Sequence, residues 1–564
     1  MNSQATPSTF HGAKRTARSL LLPILVVCLS GCTSLSEYVH NGFKVGPNYG
    51  TPPASVAPKW IDAADVRVRS DSDDLSQWWK VFNDPVLDDL ICSSYRQNLT
   101  LREAGFRVMQ ARAEYGITVG EIFPQTQTLS GSYNRSATSI ASLLGGSFGS
   151  VVSPGGGGSF PAIQRYINQN TVGFGLAWEV DFWGRYRRAI EASSADLDAS
   201  VANFEDVLVT LLADVATNYV QYRVLEKQIQ LLNVNAELQR ETARVAKSRY
   251  KAGAKDSELD YPQSQATLSQ TLAQIPPTEI RLRIRANKLC VLLGIPPEEL
   301  TTRLAKSGIP DAPKEAVAGI PAGLLRRRPD VRRAERLAAA ESARIGVAQS
   351  RLYPHIAISG SFGWQAPKLE QLFTYPAFQG NYGPSFSWDI FNYGRLQNGV
   401  RFQRARFQEV VTAYQNKVLS AAEEVENGLV TFIRSRDQVK HLTESVDAAK
   451  EAHRVGSQQF GNGKIDSIRL AILELNLVQQ QNLLAQARGD VALGLIQVYR
   501  ALGGGWEIRC NGCESSSTAV LPTPTVSRNA VTESAEPTPI VESPAAPVIR
   551  AGFGRPQAAT PVEK

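Results

Sequence analysis

The sequence predicts an α+β membrane protein: an internally duplicated pair of long α-helical hairpins, with four β-strands in each chain. The first observation behind this is a repeat. Trp178-Glu179-Val180-Asp181-Phe182-Trp183-Gly184-Arg185 matches Trp388-Asp389-Ile390-Phe391-Asn392-Tyr393-Gly394-Arg395 at an offset of 210. The same offset pairs Val215 with Val425, Arg244 with Arg454, Gly253 with Gly463, Asp256-Ser257 with Asp466-Ser467 and Gly294 with Gly504. Self-similarity at a fixed spacing marks a repeated structural unit. The second observation is helical periodicity. Phe204, Leu208, Leu211, Val215, Tyr219, Tyr222, Leu225, Ile229 and Leu232 recur every three or four residues, and residues 187–251 contain neither Gly nor Pro. A helix of that length runs roughly 100 Å. The third is period-two alternation, the signature of a strand with two unlike faces.

Taken in order, each half predicts a helix, two strands, a very long helix, a tight turn and a returning helix. The helices are expected at about 86–122, 187–251, 257–293, 324–352, 396–460 and 467–502. Pro124 and Pro354 stop the helices that precede the strands. The strand near Thr126–Asn134 puts Leu129 and Tyr133 on one face. In the next, Val172, Phe174, Leu176, Trp178 and Val180 alternate with Thr171, Gly173, Gly175, Ala177 and Glu179. The second pair carries Ile356, Ile358, Phe362 and Trp364, then Tyr382, Phe386, Trp388 and Ile390, on its apolar face. A Gly/Ser-rich loop, about Arg135–Asn168, joins the first two strands.

The N-terminus reads as an export signal. Basic residues up to Arg18 precede the apolar run Leu20–Leu29, followed by Leu29-Ser30-Gly31-Cys32. A charged start, a short apolar run and small residues before the cut describe a secretory leader, too short to span a bilayer as a helix. Leu-Ser-Gly-Cys resembles the bacterial lipobox, in which the cysteine is lipidated, here Cys32. Thr33 follows, where an Asp usually retains lipoproteins at the inner membrane. No later segment holds 18 consecutive apolar residues, so any crossing is made by strands. Four strands close no barrel, and an open edge in lipid is not tolerated, so chains must combine. Two chains give eight strands, whose interior side chains fill, whereas three give twelve and leave a lumen.

The expected division is a leader (1–31), an extended N-terminal segment (32–84), a first repeat (85–300), a linker (301–321), a second repeat (322–506) and an unstructured Pro/Ser-rich tail (507–564). Net charge is +7 over 564 residues. Three of those charges, Lys14, Arg15 and Arg18, leave with the leader, and no basic block is interleaved with aromatics, so no nucleic-acid partner is expected. Cys510 and Cys513 form a C-x-x-C outside any βαβ setting, and whether they pair, or Cys92 pairs with Cys290, stays open. Gly461-Asn462-Gly463-Lys464 lacks the Ser/Thr and glycine spacing of a P-loop, since Ile465 stands where Mg²⁺ would be bound. The five histidines are scattered. Neither catalytic residues, nor a metal site, nor a cofactor is expected. The Arg326–Arg328 run fits either phosphate binding or a helix start with Pro329 in its first turn.

Several stretches together resemble the TolC-like outer-membrane efflux proteins, in their NodT-type lipoprotein branch. They are Val45-Gly46-Pro47-Asn48-Tyr49, Trp78-Trp79-Lys80-Val81-Phe82-Asn83-Asp84-Pro85-Val86-Leu87, Asn98-Leu99-Thr100-Leu101-Arg102, Ile275-Pro276-Pro277 and Leu324-Leu325-Arg326-Arg327-Arg328-Pro329-Asp330-Val331-Arg332. The ordered set covers about residues 29–506. The resemblance implies a lipid-anchored homotrimer in the cell outer membrane, with a 12-stranded β-barrel there and an α-helical barrel across the periplasm. It implies passive export of small molecules alongside a periplasmic adaptor and an inner-membrane pump, of the proton-driven RND type. It places an adaptor-docking tip at Tyr250, Gly253, Ala254, Asp256, Phe460, Gly463, Lys464 and Asp466, and a gate among Asp260, Arg469, Ile472 and Glu474. The family's acidic ring inside the second turn has no counterpart here, so the gate would rest on Arg469 and a neighbouring acid. Two other functions fit the long helices: a structural envelope-spanning lipoprotein, and the exit channel of a type I protein secretion system. The strands favour a channel, since a spacer needs none.

Overall fold

Each half of the chain runs from a helix through two strands into a 67-residue helix and back, and the first half divides its outer helices where the second does not. The structure, a computed structural model, describes residues 35–69, 74–137, 166–252, 258–305, 307–317, 319, 321–323 and 327–511. These lie in a unit spanning Met1–Ser516, and a second unit, Ser517–Lys564, lies outside the described residues, as does Cys32. The N-terminal segment carries α1 (Leu35–His40) and β1 (Val68–Arg69). The first repeat comprises α2 (Pro85–Gln97), α3 (Leu99–Gly120), β2 (Thr126–Ala137), β3 (Tyr166–Glu179), α4 (Arg185–Lys251), α5 (Asp260–Leu272) and α6 (Ile275–Leu292). After α7 (Thr301–Leu304) and β4 (Ala316–Val317) come α8 (Pro329–Ser350), β5 (His355–Ala366), β6 (Phe378–Ser387), α9 (Arg395–Gly461), α10 (Ser467–Ala501) and α11 (Ile508–Asn511).

The duplication survives in the coordinates most closely in the helices that flank the strands. Helices α4 and α9 each span 67 residues, and α3 and α8 each span 22. The long helices start after Gly184 and Gly394, whose φ angles of 79° and 80° suit a residue without a Cβ. The Trp178 indole donates to Ile122 O (3.1 Å), and its repeat mate Trp388 donates to Leu352 O (3.0 Å). At the far end the register slips by one: the left-handed residues after α6 and α10 are Gly294 and Gly503, not Gly504.

The elements stand side by side. Toward the strands the order is α3–α4–α8–α9, and toward the turns α5 and α6, then α4, α10 and α9. The sheet keeps the matching order β2–β3–β5–β6, all antiparallel, with β2 and β6 at its edges. The main core lies at the middle of the long helices, where Trp78, Trp79, Leu87, Leu90, Leu212, Tyr219, Phe432 and Leu495 pack together. Asp84 fixes that junction. Its carboxylate caps α2 by accepting from Val86 N (2.9 Å), and it also accepts from the buried Tyr219 hydroxyl (2.6 Å). The Trp-Trp stretch that carried the resemblance is therefore packing: a Cβ on Gly504 would sit 3.1 Å from the Trp78 ring.

Several expectations need correction. The helix read as 86–122 is two, because Asn98 leaves helical geometry (ψ 126°), caps α3 through Leu101 N (2.8 Å) and donates to Leu292 O (2.8 Å). The helix read as 257–293 divides at Ala273–Gln274, where Pro276 and Pro277 lack N–H donors. Trp388 and Ile390 lie beyond the end of β6 at Ser387. Residues 507–511 belong to the folded unit and not to the tail, since Ile508 is 1% exposed within the core. The pairing of Cys92 with Cys290, open from the sequence, does not occur: Cys92 is disulfide-bonded, whereas Cys290 is a buried free thiol donating to Glu298 O at 3.7 Å.

Candidate functional site

The two periplasmic turns of the resemblance lie at the far ends of α4 and α9, and one of them is described in full. α9 ends as its sequence predicts. Gly463 takes φ 73°, its N–H reaches Phe460 O (2.9 Å), and the Lys464 N–H reaches Gln459 O (2.8 Å). These two bonds satisfy the last carbonyls of the helix in a Schellman motif. Asp466 then caps α10 by accepting from Arg469 N (2.9 Å). Gly461–Lys464 is thus a turn. In the first hairpin Gly253, Ala254 and Asp256 lie outside the described residues. Tyr250 is half exposed and stacks on Tyr261, with centroids 6.5 Å apart.

The two hairpins are fastened to each other at this end. The Arg249 guanidinium donates to Phe460 O and to Gly461 O (2.7 Å), and lies 4.7 Å from the Phe460 ring centroid. Asp260, 8% exposed, accepts from Ser467 N (3.0 Å), adding a second cap to α10 from the other hairpin. Phe460, Ala246 and Leu470 form a small apolar cluster beneath these contacts. Arg249 was not singled out in the sequence, and Ser467 was read there only as part of the turn that caps the next helix. The signal was a departure from the repeat: Arg249 and Asp260 stand where the second half has Gln459 and Leu470.

The gate residues divide. Arg469 and Ile472 are exposed and line a cleft of about 860 Å³ together with Arg249, Asp260, Lys464 and Asp466. Glu474 does not join them. It is 4% exposed between helices, accepts from the Thr242 hydroxyl (2.8 Å) and lies 3.9 Å from His453 Nε2. Its expected place beside Arg469 is thereby corrected, because the helical turn carries it into the α4–α9–α10 contact. Asp466 is likewise engaged as a cap.

The strands carry two unlike faces. Cross-strand pairing puts Leu129 opposite Phe174, Phe174 opposite Phe362, Trp178 opposite Ile358 and Ile356 opposite Phe386, all on one face. Phe362, Tyr382 and Phe386 are 52%, 94% and 78% exposed. The other face is small and polar, with Ser130, Gly173, Gly175, Ser359, Ser361, Gly363 and Ser385. A Cβ on Gly363 would fall 2.3 Å from Val172 O and 2.5 Å from Gly173 Cα, so the strands close on this side as larger residues would forbid. An aromatic face over a glycine- and serine-lined one is what a barrel wall between lipid and water requires. Among the described residues, no helix is long and apolar enough to cross a membrane.

The Arg326–Arg328 run resolves at its last member. Arg328 precedes Pro329 at the start of α8, forks onto Asp330 (2.9 and 2.7 Å) and donates to Glu424 (2.7 Å) and Ala501 O (2.8 Å). Burial opposes its charge, but Asp330 and Glu424 outweigh that and raise its pKa. It is a pin between helices, and Arg326 lies outside the described residues.

Paired helical hairpins carrying a two-faced sheet define a class of membrane channel subunit. The comparisons make this specific: the chain belongs to the family described as outer membrane efflux protein, matched over residues 90–295 and 320–504. It is 30% identical to Nodulation protein T of Rhizobium leguminosarum bv. trifolii, across 86% of this chain and 97% of that protein. It is 27% identical to the pyoverdine export outer membrane protein OpmQ of Pseudomonas aeruginosa, over 78% of this chain and 89% of that one. Among solved structures, the outer-membrane channel OprN superposes with a TM-score of 0.74 at 30% identity, covering 82% of this chain and 99% of OprN. The Campylobacter jejuni CmeC outer membrane channel shares the fold, with a TM-score of 0.73 at 21% identity.

Proposed function

We propose that this protein is the outer-membrane exit duct of a tripartite efflux pump, and that it opens a passive path for small molecules without chemistry of its own. The observation that carries this reading is a two-faced, open-edged, four-stranded sheet set on a row of helices of roughly 100 Å. A spacer lipoprotein needs the helices and not the sheet. Three copies supply twelve strands, the smallest closed set argued above to leave a lumen. The strands then cross the outer membrane, the helices enclose the periplasmic duct, and Cys32 adds a lipid anchor. The turns around Tyr250, Phe460, Gly463 and Lys464 dock a periplasmic adaptor, which links the duct to a proton-driven RND pump in the inner membrane. Asp260, Arg469 and Ile472, with Arg249, form the closure. Relatives named for pyoverdine export and for toluene efflux support a small organic cargo.

Deleting the gene and restoring it on a plasmid tests this in cells. Loss of small-molecule export, recovered by the intact chain, supports the duct. Unchanged export of every cargo that depends on the partner pump contradicts it. Particle mass in detergent tests the assembly, with three chains expected. Cys32→Ala tests the anchor and is expected to abolish labelling by a palmitate analogue while the barrel keeps the protein in the membrane.

A further inference from the structure

Next to the sheet, where α8 runs out into β5 and β6 leads into α9, the second repeat opens a basic cleft. Its volume is about 540 Å³, and Arg344, Arg351 and Arg395 line it together with Val347, Leu396 and Phe402. No acidic residue lines it among the described residues. The three guanidinium groups are not equally free. Arg344 is held by Asp196 at 2.5 Å and by Glu341 at 2.7 Å. Arg395 meets Asp389 at 3.3 Å, with the two side chains 71% and 69% exposed, and a pair so exposed contributes little. Arg351 is exposed and has no acidic partner among the described residues.

The first repeat has the same backbone at this place and the opposite charge. α8 repeats α3 at an offset of 230, and α9 repeats α4 at 210. The mates of Arg344 and Arg351 are therefore Glu114 and Glu121, and the mate of Arg395 is Arg185. Arg185 is neutralised by Glu179, at 2.9 and 3.0 Å, a carboxylate that the Tyr186 hydroxyl also holds at 3.1 Å. Two acids and a satisfied base thus stand where the second repeat has three bases, two of them loosely held or unpaired. The duplicated fold does not require the arginines, since their mates build the same elements without them.

The cleft lies on the face of the helix row that the N-terminal segment leaves open. That segment crosses the other face: Val45 O would lie 2.8 Å from a Cβ on Gly346, the Tyr49 hydroxyl donates to Glu335 O (3.3 Å), and Pro53 O accepts from Gln415 (3.1 Å). Arg344 and Ala348 stand two residues to either side of Gly346, roughly 200° around α8, and so point away from the segment.

We infer that this cleft binds an organic anion with an apolar body: a carboxylate, sulfonate or phosphate ester carried on a ring or a short hydrocarbon. The inference rests on the exit-duct reading and adds to it a cargo class and two specificity-determining residues, Arg351 and Arg395. In a ring of copies the segment leading back to Cys32 runs on the outside, and the cleft opens to the lumen just below the barrel. Each arginine offers a planar fork that matches the oxygens of such a group. Val347, Leu396 and Phe402 cover its apolar part, and the volume suits a small organic molecule. A cation finds no acid there. Both arginines are exposed to water, so the hold is loose enough for cargo to leave outward.

Equilibrium dialysis of the purified, detergent-solubilised protein tests the site, with 1-naphthalenesulfonate as probe and neutral 1-naphthalenemethanol as control. The anion is expected to bind once per chain, and the neutral compound far more weakly. Arg351→Glu combined with Arg395→Glu is expected to weaken anion binding roughly tenfold or more, while Glu121→Gln in the mate position leaves it unchanged. Arg351→Gln removes one exposed, unpaired charge without disturbing packing, and is expected to weaken binding several-fold at an unaltered particle mass. In planar bilayers the anion should reduce the single-channel current of the unaltered protein and spare that of the double variant. Channels that conduct yet bind the anion no better than the neutral compound, or bind it equally in all variants, would overturn the site and leave the duct standing. An unaltered protein that inserts and passes no current would overturn the duct reading itself.

Discussion

The middle and the far end of the long helices are held together by different forces. At the middle, Trp78, Leu90, Leu212, Tyr219, Phe432 and Leu495 belong to one broad apolar core, each at most 2% exposed. At the far end the apolar contribution falls to Phe460, Leu470 and Ala246. Polar ties, Arg249 to the Phe460 and Gly461 carbonyls and Asp260 to Ser467 N, do the fastening there. Segments with few buried apolar contacts open at low free energy, and moving parts are drawn from them. The contrast teaches that one continuous helix can serve both as a fixed wall and as a releasable end. Polar ties break without exposing a large apolar area, so the end can open while the middle stays intact.

Breaking the middle should have the largest effect. Phe432→Ala removes a fully buried ring and is expected to cost about 3–5 kcal/mol, read as a lowered midpoint in chemical denaturation, with export lost alongside the folded protein. At the end, Arg249→Ala removes a partly exposed tie and Asp260→Ala a buried one, and each is expected to cost about 1–3 kcal/mol locally at most. Hydrogen exchange should quicken in the first turn of α10 and stay unchanged at Leu495, while particle mass holds. A Gly463→Trp variant sharpens the contrast further. The residue must adopt φ 73°, at about 1–2 kcal/mol for a side chain, yet a Cβ there meets nothing within 4 Å. Assembly and membrane level should persist while adaptor cross-linking and export fail. Normal cross-linking and export would reduce the turn to a turn.

The smallest effect concerns acid. Asp65 is held down at about 2 by hydrogen bonds from the Arg67 side chain and backbone, and Arg67 also reaches Asp437 of α9. A folded pKa below the unfolded value of about 3.9 gives stability that is complete above the unfolded value and is lost as pH falls through the folded one. Thermal unfolding of the unaltered chain and of Asp65→Asn should therefore differ by a constant amount from pH 7 to about 5, and converge only below about pH 4.

What could be read from the sequence was periodic. The long helices and all four strands were legible because their patterns are long, and because Gly184, Gly394 and Gly463 punctuate them at positions that require a left-handed residue. The Asp466 cap was legible for the same local reason. Asn98 was missed because a capping residue inside an apolar periodic run does not interrupt the pattern. Trp388 and Ile390 were read as strand because alternation continues into the elbow, where the Trp388 indole serves Leu352 instead. The ties at Arg249 and Asp260 join residues more than 200 positions apart, and no local pattern encodes such a contact. Glu474 was misplaced because the direction in which a helical residue points depends on which neighbours its helix meets.

A conducting lumen is the central claim, and conductance across a planar lipid bilayer tests it most directly. The purified full-length protein should insert and give discrete current steps of uniform size, with Arg249→Ala raising the open fraction and leaving the mass of the particle unchanged. Protein that incorporates into the bilayer as an intact oligomer yet passes no current, in the unaltered form and in the Arg249→Ala form alike, would contradict the account.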